Sequence, residues 1–216
     1  MKKYFLVILL LTLLLAACMP MLTVFFGISK PKEVTMKKIE KKISKYGLDY
    51  FKHYYITEEG FFSYFDILNK NNLSTSVTRV LVFKEGKLLQ PTEINGCSSQ
   101  RDGFIRTLQD STSYISIDTV LLSDFVNSTN LSNFDINEYQ QMNAGKDFTI
   151  VLYWASFSGV LNKNITAQLA QTTKDCIDKK GLNAHVFYIN LDVKEGWSDR
   201  IKKIMKKRNK KIIFAK

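Results

Sequence analysis

The chain has 216 residues, of which 45% are hydrophobic, and its 31 Lys and Arg residues exceed its 20 Asp and Glu residues. This length suits one domain, with or without a smaller companion, and is sufficient to bury a core without disulfide staples. With three prolines in the whole chain, long proline-rich linkers are excluded. The net charge of +11 would suit either nucleic acid or anionic lipid as a partner.

The first 17 residues have the pattern of a secretory signal. Lys2 and Lys3 precede an almost wholly apolar stretch over residues 4–15, and two alanines follow it. Secretion makes nucleic acid a poor candidate partner and favours lipid headgroups. Basic residues concentrate over 30–45 and 202–211, where solvated helix faces are the simpler explanation.

The segment Leu15-Ala16-Ala17-Cys18 resembles the lipobox of bacterial lipoproteins. The resemblance implies that Cys18 carries a diacylglyceryl thioether, that the chain is cleaved before it, and that the new amine is acylated. Two or more acyl chains anchor a protein stably. We therefore expect a lipid-anchored protein on the cell membrane or outer membrane, facing the periplasm or the exterior. The alternative is an uncleaved anchor over residues 4–28, which is long enough to span a bilayer.

Residues 18–31 are interpreted as a tether, and residues 32–136 as a mixed α/β region without an assigned family. Within this region the pattern predicts a helix from 32 to 47, a helix beginning at Thr57 and ending at 71–72, a hairpin turning at 84–87, a short helix over 98–108 and a strand over 114–120. The aromatic residues between 50 and 65 are either core or a docking face, and core is favoured.

Near Asn137 the pattern changes to alternating strands and helices. Strands are predicted over 148–154, 185–191 and 212–214, and helices over 161–181 and 197–207. This alternation is typical of parallel sheet units, so the predicted fold class is α/β.

The run Trp154-Ala155-Ser156-Phe157-Ser158-Gly159 lies between a predicted strand and a predicted helix. It resembles the active-site stretch of thioredoxin-like proteins of the envelope-anchored thiol-disulfide branch, and Asn190-Leu191-Asp192 resembles the acidic end of that family's next strand. The resemblance implies a thioredoxin-like, three-layer α/β domain over residues 137–216. The last hairpin strand and final helix of that family are absent from this stretch or supplied otherwise.

Two departures remove the family's chemistry. Ser158 and Leu161 occupy the positions of the two cysteines, whereas disulfide exchange needs a thiolate and a resolving thiol. No proline follows Pro91, so the family's cis-proline is also missing. We therefore treat Trp154, Ser158, Gly159 and Leu161 as a degenerate redox motif, assign no catalytic residue and expect no dithiol enzyme.

The remaining reactive groups give weaker signals. Cys97 and Cys176 are either a disulfide or two buried thiols. His53 and His185 are isolated and are interpreted as packed or surface residues, so no metal site and no cofactor is predicted. Asp192 is interpreted as part of a solvated loop.

These observations favour a non-catalytic binding or scaffold module that is anchored in the cell envelope and binds an envelope protein or peptide. Two alternatives remain open. One is a thiol-disulfide redox protein that uses Cys97 and Cys176, and the other is a periplasmic immunity-type inhibitor.

Overall fold

The structure is a computed structural model that describes residues 33–71, 73, 78–92, 104–199 and 203, without the side chains of residues 128 and 158–162. Cys18, Cys97 and most of the elements predicted at 98–108, 197–207 and 212–214 lie outside the described residues. None of the helices in the described ranges is long and apolar enough to cross a membrane.

The main elements alternate along the chain. The helices are α1 (Met36–Tyr46), α2 (Glu58–Lys70), α3 (Leu122–Thr129), α4 (Ile136–Asn143) and α5 (Gly159–Lys180). The strands are β1 (Lys52–Ile56), β2 (Arg79–Lys84), β3 (Lys87–Pro91), β4 (Tyr114–Leu121), β5 (Leu131–Ser132), β6 (Phe148–Trp154) and β7 (Ala184–Asn190). Short 3-10 helices span Ser111–Ser113 and Ser156–Ser158.

The strands form one seven-stranded sheet in the order β4-β3-β2-β6-β7-β1-β5. β6, β7 and β1 are parallel, whereas the neighbouring pairs on either side of them are antiparallel. The α/β class is confirmed, with a mixed sheet. Strands from both 32–136 and 137–216 contribute to this sheet, so the two regions share one framework.

Central strand β6 is buried along its whole length. Its residues 148, 150, 152 and 154 face a hydrophobic cluster that includes Ile39 and Ile43 of α1 and Leu169 of α5. Residues 151 and 153 face a second cluster, which includes Tyr64 of α2 and Phe125 of α3. Helices therefore cover both faces, which explains the near-continuous apolar run of this strand.

Local capping explains why several predicted boundaries are confirmed. Gly47 ends α1 with φ of 66°, a left-handed conformation that glycine adopts at low cost. The Thr57 side chain accepts a hydrogen bond from the Gly60 amide at 3.1 Å and so begins α2. Glu85 and Gly86 both have positive φ in the predicted hairpin turn between β2 and β3, as tight two-residue hairpin turns require.

The aromatic cluster over residues 50–65 lies mainly in the core, as favoured from the sequence. Tyr54 and Tyr64 are fully buried, while Tyr50 is half exposed. Strand β1, which carries Tyr54, was not predicted. In the predicted strand β4, Ile115 is 56% exposed, whereas Ile117 packs against the core.

Helices α2 and α3 are in close contact at Gly60. A Cβ atom built on Gly60 would lie 1.7 Å from the Thr129 carbonyl oxygen, far inside van der Waals contact. Thr129 is itself buried and donates its hydroxyl to the Phe125 carbonyl oxygen at 2.7 Å. The absence of a side chain at Gly60 therefore sets the distance between the two helices.

We expect Gly60→Ala to separate α2 from α3 and to lower the free energy of unfolding by about 1–3 kcal/mol or more. Asn69→Ala, at an exposed position of the same helix, is the control and should change stability by less than about 0.5 kcal/mol. Urea unfolding followed by circular dichroism measures both. Equal stability of the two variants would contradict the close approach.

Candidate functional site

The degenerate motif lies at the carboxyl end of β6. Trp154 is the last residue of this strand, residues 156–158 form the 3-10 turn, and Gly159 begins α5. Leu161 therefore lies in the first turn of α5. The backbone follows the strand, turn and helix order predicted for the motif, and the end of the neighbouring parallel strand β7 lies beside it.

The turn is closed by Asp192, two residues beyond the end of β7. The amide of Ser156 donates to Asp192 Oδ1 and Oδ2 at 2.9 and 3.1 Å, and Ser156 Oγ donates to Oδ1 at 2.8 Å. Asn190 Nδ2 donates to Oδ2 at 2.9 Å. Because both carboxylate oxygens accept hydrogen bonds from the protein, Asp192 acts as a clamp on the turn.

Asp192 is fully buried. Burial raises the pKa of its carboxyl group above the ordinary value, against the lowering effects of the Asn190 and Ser156 hydrogen bonds and of the Lys42 charge. Lys42 Nζ donates to the Ser156 carbonyl oxygen at 3.4 Å, so α1 also contacts the turn. The Asp192 carboxylate accepts the first amide of the 3-10 turn. Negative charge at this position is favourable, because the free amides at the start of a helical segment carry partial positive charge.

Trp154 supports the site from within the core and is 1% exposed. Its indole ring contacts Tyr46 and His53 edge to face, with ring centroids 6.0 and 6.1 Å apart. His53 also stacks on Tyr188 at 4.8 Å. Such aromatic contacts add to the stability gained from burial alone. Because Tyr46 and His53 cover the indole ring, Trp154 supports the turn from below and offers little surface to a partner.

The two histidines pack against aromatic rings and are not exposed at the turn. His53 Nε2 lies 2.9 Å from the Leu48 carbonyl oxygen, and burial lowers the pKa of this histidine. His185 is 6% exposed and packs near Tyr139, on the face of the sheet opposite to His53.

Cys176 is 2% exposed within α5. Thiol exchange requires access to the sulfur, so burial of Cys176 disfavours the redox alternative; its pairing with Cys97 stays a prediction.

The structure corrects one interpretation and adds two residues. The interpretation of Asp192 as part of a solvated loop is wrong, because its carboxylate is buried and holds Ser156. Lys42 and Asn190 were not assigned to the site from the sequence. The available signal was the position of Asn190-Leu191-Asp192 as an acidic strand end beside the motif.

Comparisons of the chain with protein-family models, with curated proteins and with solved structures found no significant match. A buried carboxylate with both oxygens occupied by protein donors is suited to fixing a backbone turn.

We expect the cost of Asp192→Asn to depend on pH. The folded-state pKa of Asp192 is raised, so folding favours the protonated form of this carboxyl group. The resulting stabilisation of the folded state is complete below the ordinary pKa of 3.8 and is lost as the pH rises through the folded-state pKa. The difference in unfolding free energy between wild type and variant should therefore be larger at acid pH than at neutral pH.

Urea unfolding of both proteins across this pH range measures the difference. The matched control is Glu195→Gln, which removes an exposed carboxylate from the loop that carries Asp192 and should show no such widening. A difference for Asp192→Asn that grows toward neutral pH would contradict the raised pKa.

Proposed function

We propose that the chain is a lipid-anchored, non-catalytic thioredoxin-like module that binds an envelope protein or peptide. The observation that carries this proposal is the closed motif turn, in which Asp192 holds the amide and hydroxyl of Ser156. With its oxygens accepting hydrogen bonds from Ser156 and Asn190, Asp192 supports the turn as a structural element and is not placed as a base for a nucleophile.

The sheet order supports the thioredoxin-like part of the proposal. Three parallel strands, β1, β7 and β6, carry the motif at the end of β6, and the antiparallel hairpin of β2 and β3 lies against the other edge of β6. In the proposed fold, β2 and β3, which precede the motif in the chain, take the place of the hairpin that the family has after it. Hydrogen bonding between strands depends on their alignment and not on their order in the chain.

The sequence supports the absence of dithiol chemistry. Ser158 and Leu161 replace both sulfur atoms that exchange would require. The anchor, in turn, is supported by the lipobox-like segment ending at Cys18. Together, the missing sulfur atoms and the proposed lipid anchor describe a protein that is held at a membrane surface and binds a partner without exchanging electrons.

Acylation is tested by feeding cells a labelled fatty acid. We expect the wild-type chain to incorporate the label and Cys18→Ala to lose it, because Cys18 supplies both the thioether sulfur and the new amino terminus. Cys97→Ala is the matched control and should keep the label. Equal labelling of wild type and Cys18→Ala would remove the anchor from the proposal.

The thioredoxin-like geometry is tested by restoring the thiols. In a Cys97→Ser, Cys176→Ser background, Ser158→Cys with Leu161→Cys should create a pair that reduces insulin with dithiothreitol as the electron source, since the pair lies at the start of α5. The background protein should not raise the rate above that of dithiothreitol alone.

Two results would contradict the proposal. Insulin reduction by the wild type, lost in the background variant, would establish a redox role for Cys97 and Cys176. A folded double-cysteine variant that forms no disulfide and has no activity would contradict the thioredoxin-like placement of the turn.

A further inference from the structure

Helix α1 has two chemically different sides. Ile39 and Ile43 are buried in the hydrophobic cluster shared with α5. Four exposed lysines lie on the opposite side, within an arc of about 100° at 3.6 residues per turn. We call them the lysine face: Lys37, Lys38, Lys41 and Lys45.

The lysine face is not neutralised within the described part of the chain. None of its four residues forms an ion pair there, whereas Lys174 and Lys179 of α5 pair with Asp178 and Asp175. Glu40 is the single acidic residue of α1. Lysines spaced three or four residues apart on a helix repel one another, so this arrangement lowers helix stability unless an anionic partner is present.

The position of α1 in the chain identifies that partner. Residues 19–35 separate it from Cys18, a stretch that spans at most about 60 Å when extended and about 20–25 Å as a flexible coil. A chain anchored at Cys18 therefore keeps α1 within about 60 Å of the lipid surface, so that α1 can reach the headgroups. Exposed lysines near anionic headgroups are attracted within roughly one Debye length, about 8 Å at physiological ionic strength.

We propose that the lysine face binds anionic phospholipid headgroups and holds the domain against the membrane that carries its anchor. This inference rests on the lipid anchoring proposed above. It assigns α1 a membrane-facing side, and it leaves the opposite, α2 side of the sheet turned away from the bilayer.

Amine labelling tests the inference on the mature lipidated protein. The protein is reconstituted into vesicles of phosphatidylcholine alone or mixed with phosphatidylglycerol, and lysine acetylation is followed by mass spectrometry. We expect the lysine face to be acetylated about threefold more slowly, or slower still, on the anionic vesicles. Salt at 1 M should abolish the difference, because the Debye length falls to about 3 Å.

Two variants give a second readout, the distance of the protein layer from a supported bilayer in neutron reflectometry. Replacing all four lysines of the face with Gln should move the layer away from the anionic bilayer. The matched control replaces four exposed lysines outside α1 and α5 with Gln and should leave the distance unchanged: Lys70, Lys87, Lys146 and Lys203.

The outcomes separate the two proposals. Failure of the reconstituted protein to float with neutral vesicles in a density gradient would overturn the anchor and hence the proposed function. Stable flotation with identical labelling on both vesicle types would overturn the lysine face alone and would favour an acidic protein as its partner.

Discussion

Burial of β6 on both faces determines where the other elements lie. A strand without a solvent-facing side needs helices above and below it and hydrogen-bonded neighbours at both edges. The chain meets this requirement with β2 and β7 at the edges, α1 and α5 on one face, and α2 and α3 on the other. Because these elements come from both halves of the sequence, the turn at the end of β6 is held by residues distant from it.

The buried carboxylate at that turn follows from the same constraint. Removing an ionised group from water is costly unless hydrogen bonds replace its solvation. Asp192 obtains them from Ser156 and Asn190, with Lys42 contributing favourable charge. The contacts that make burial tolerable also occupy both carboxylate oxygens. Stability of the turn and availability of the acid for chemistry are therefore opposed, and the geometry favours stability.

Local signals explain which features could be predicted from the sequence. The ends of α1 and α2 follow from Gly47, Thr57 and neighbouring residues, whose effects act within one helical turn. Strand β1 was missed because Tyr54 and Tyr55 are adjacent aromatic residues that face opposite sides of the sheet, so no alternation is visible. The Ser156–Asp192 pairing was missed because it depends on parallel alignment of β6 and β7 across 36 residues.

Helix α1 connects the surface chemistry of the chain to its motif turn. Its outer side carries the lysine face, its inner side packs against α5, and Lys42 between them reaches the carbonyl oxygen of Ser156. One short helix therefore contacts the turn directly and faces solvent with an excess of positive charge. If that charge meets anionic headgroups, the turn lies beside the membrane surface, and a partner that binds there must approach along the bilayer. Under the proposed lipid binding, the placement of the turn relative to the bilayer follows from the charge pattern of α1 as well as from the sheet.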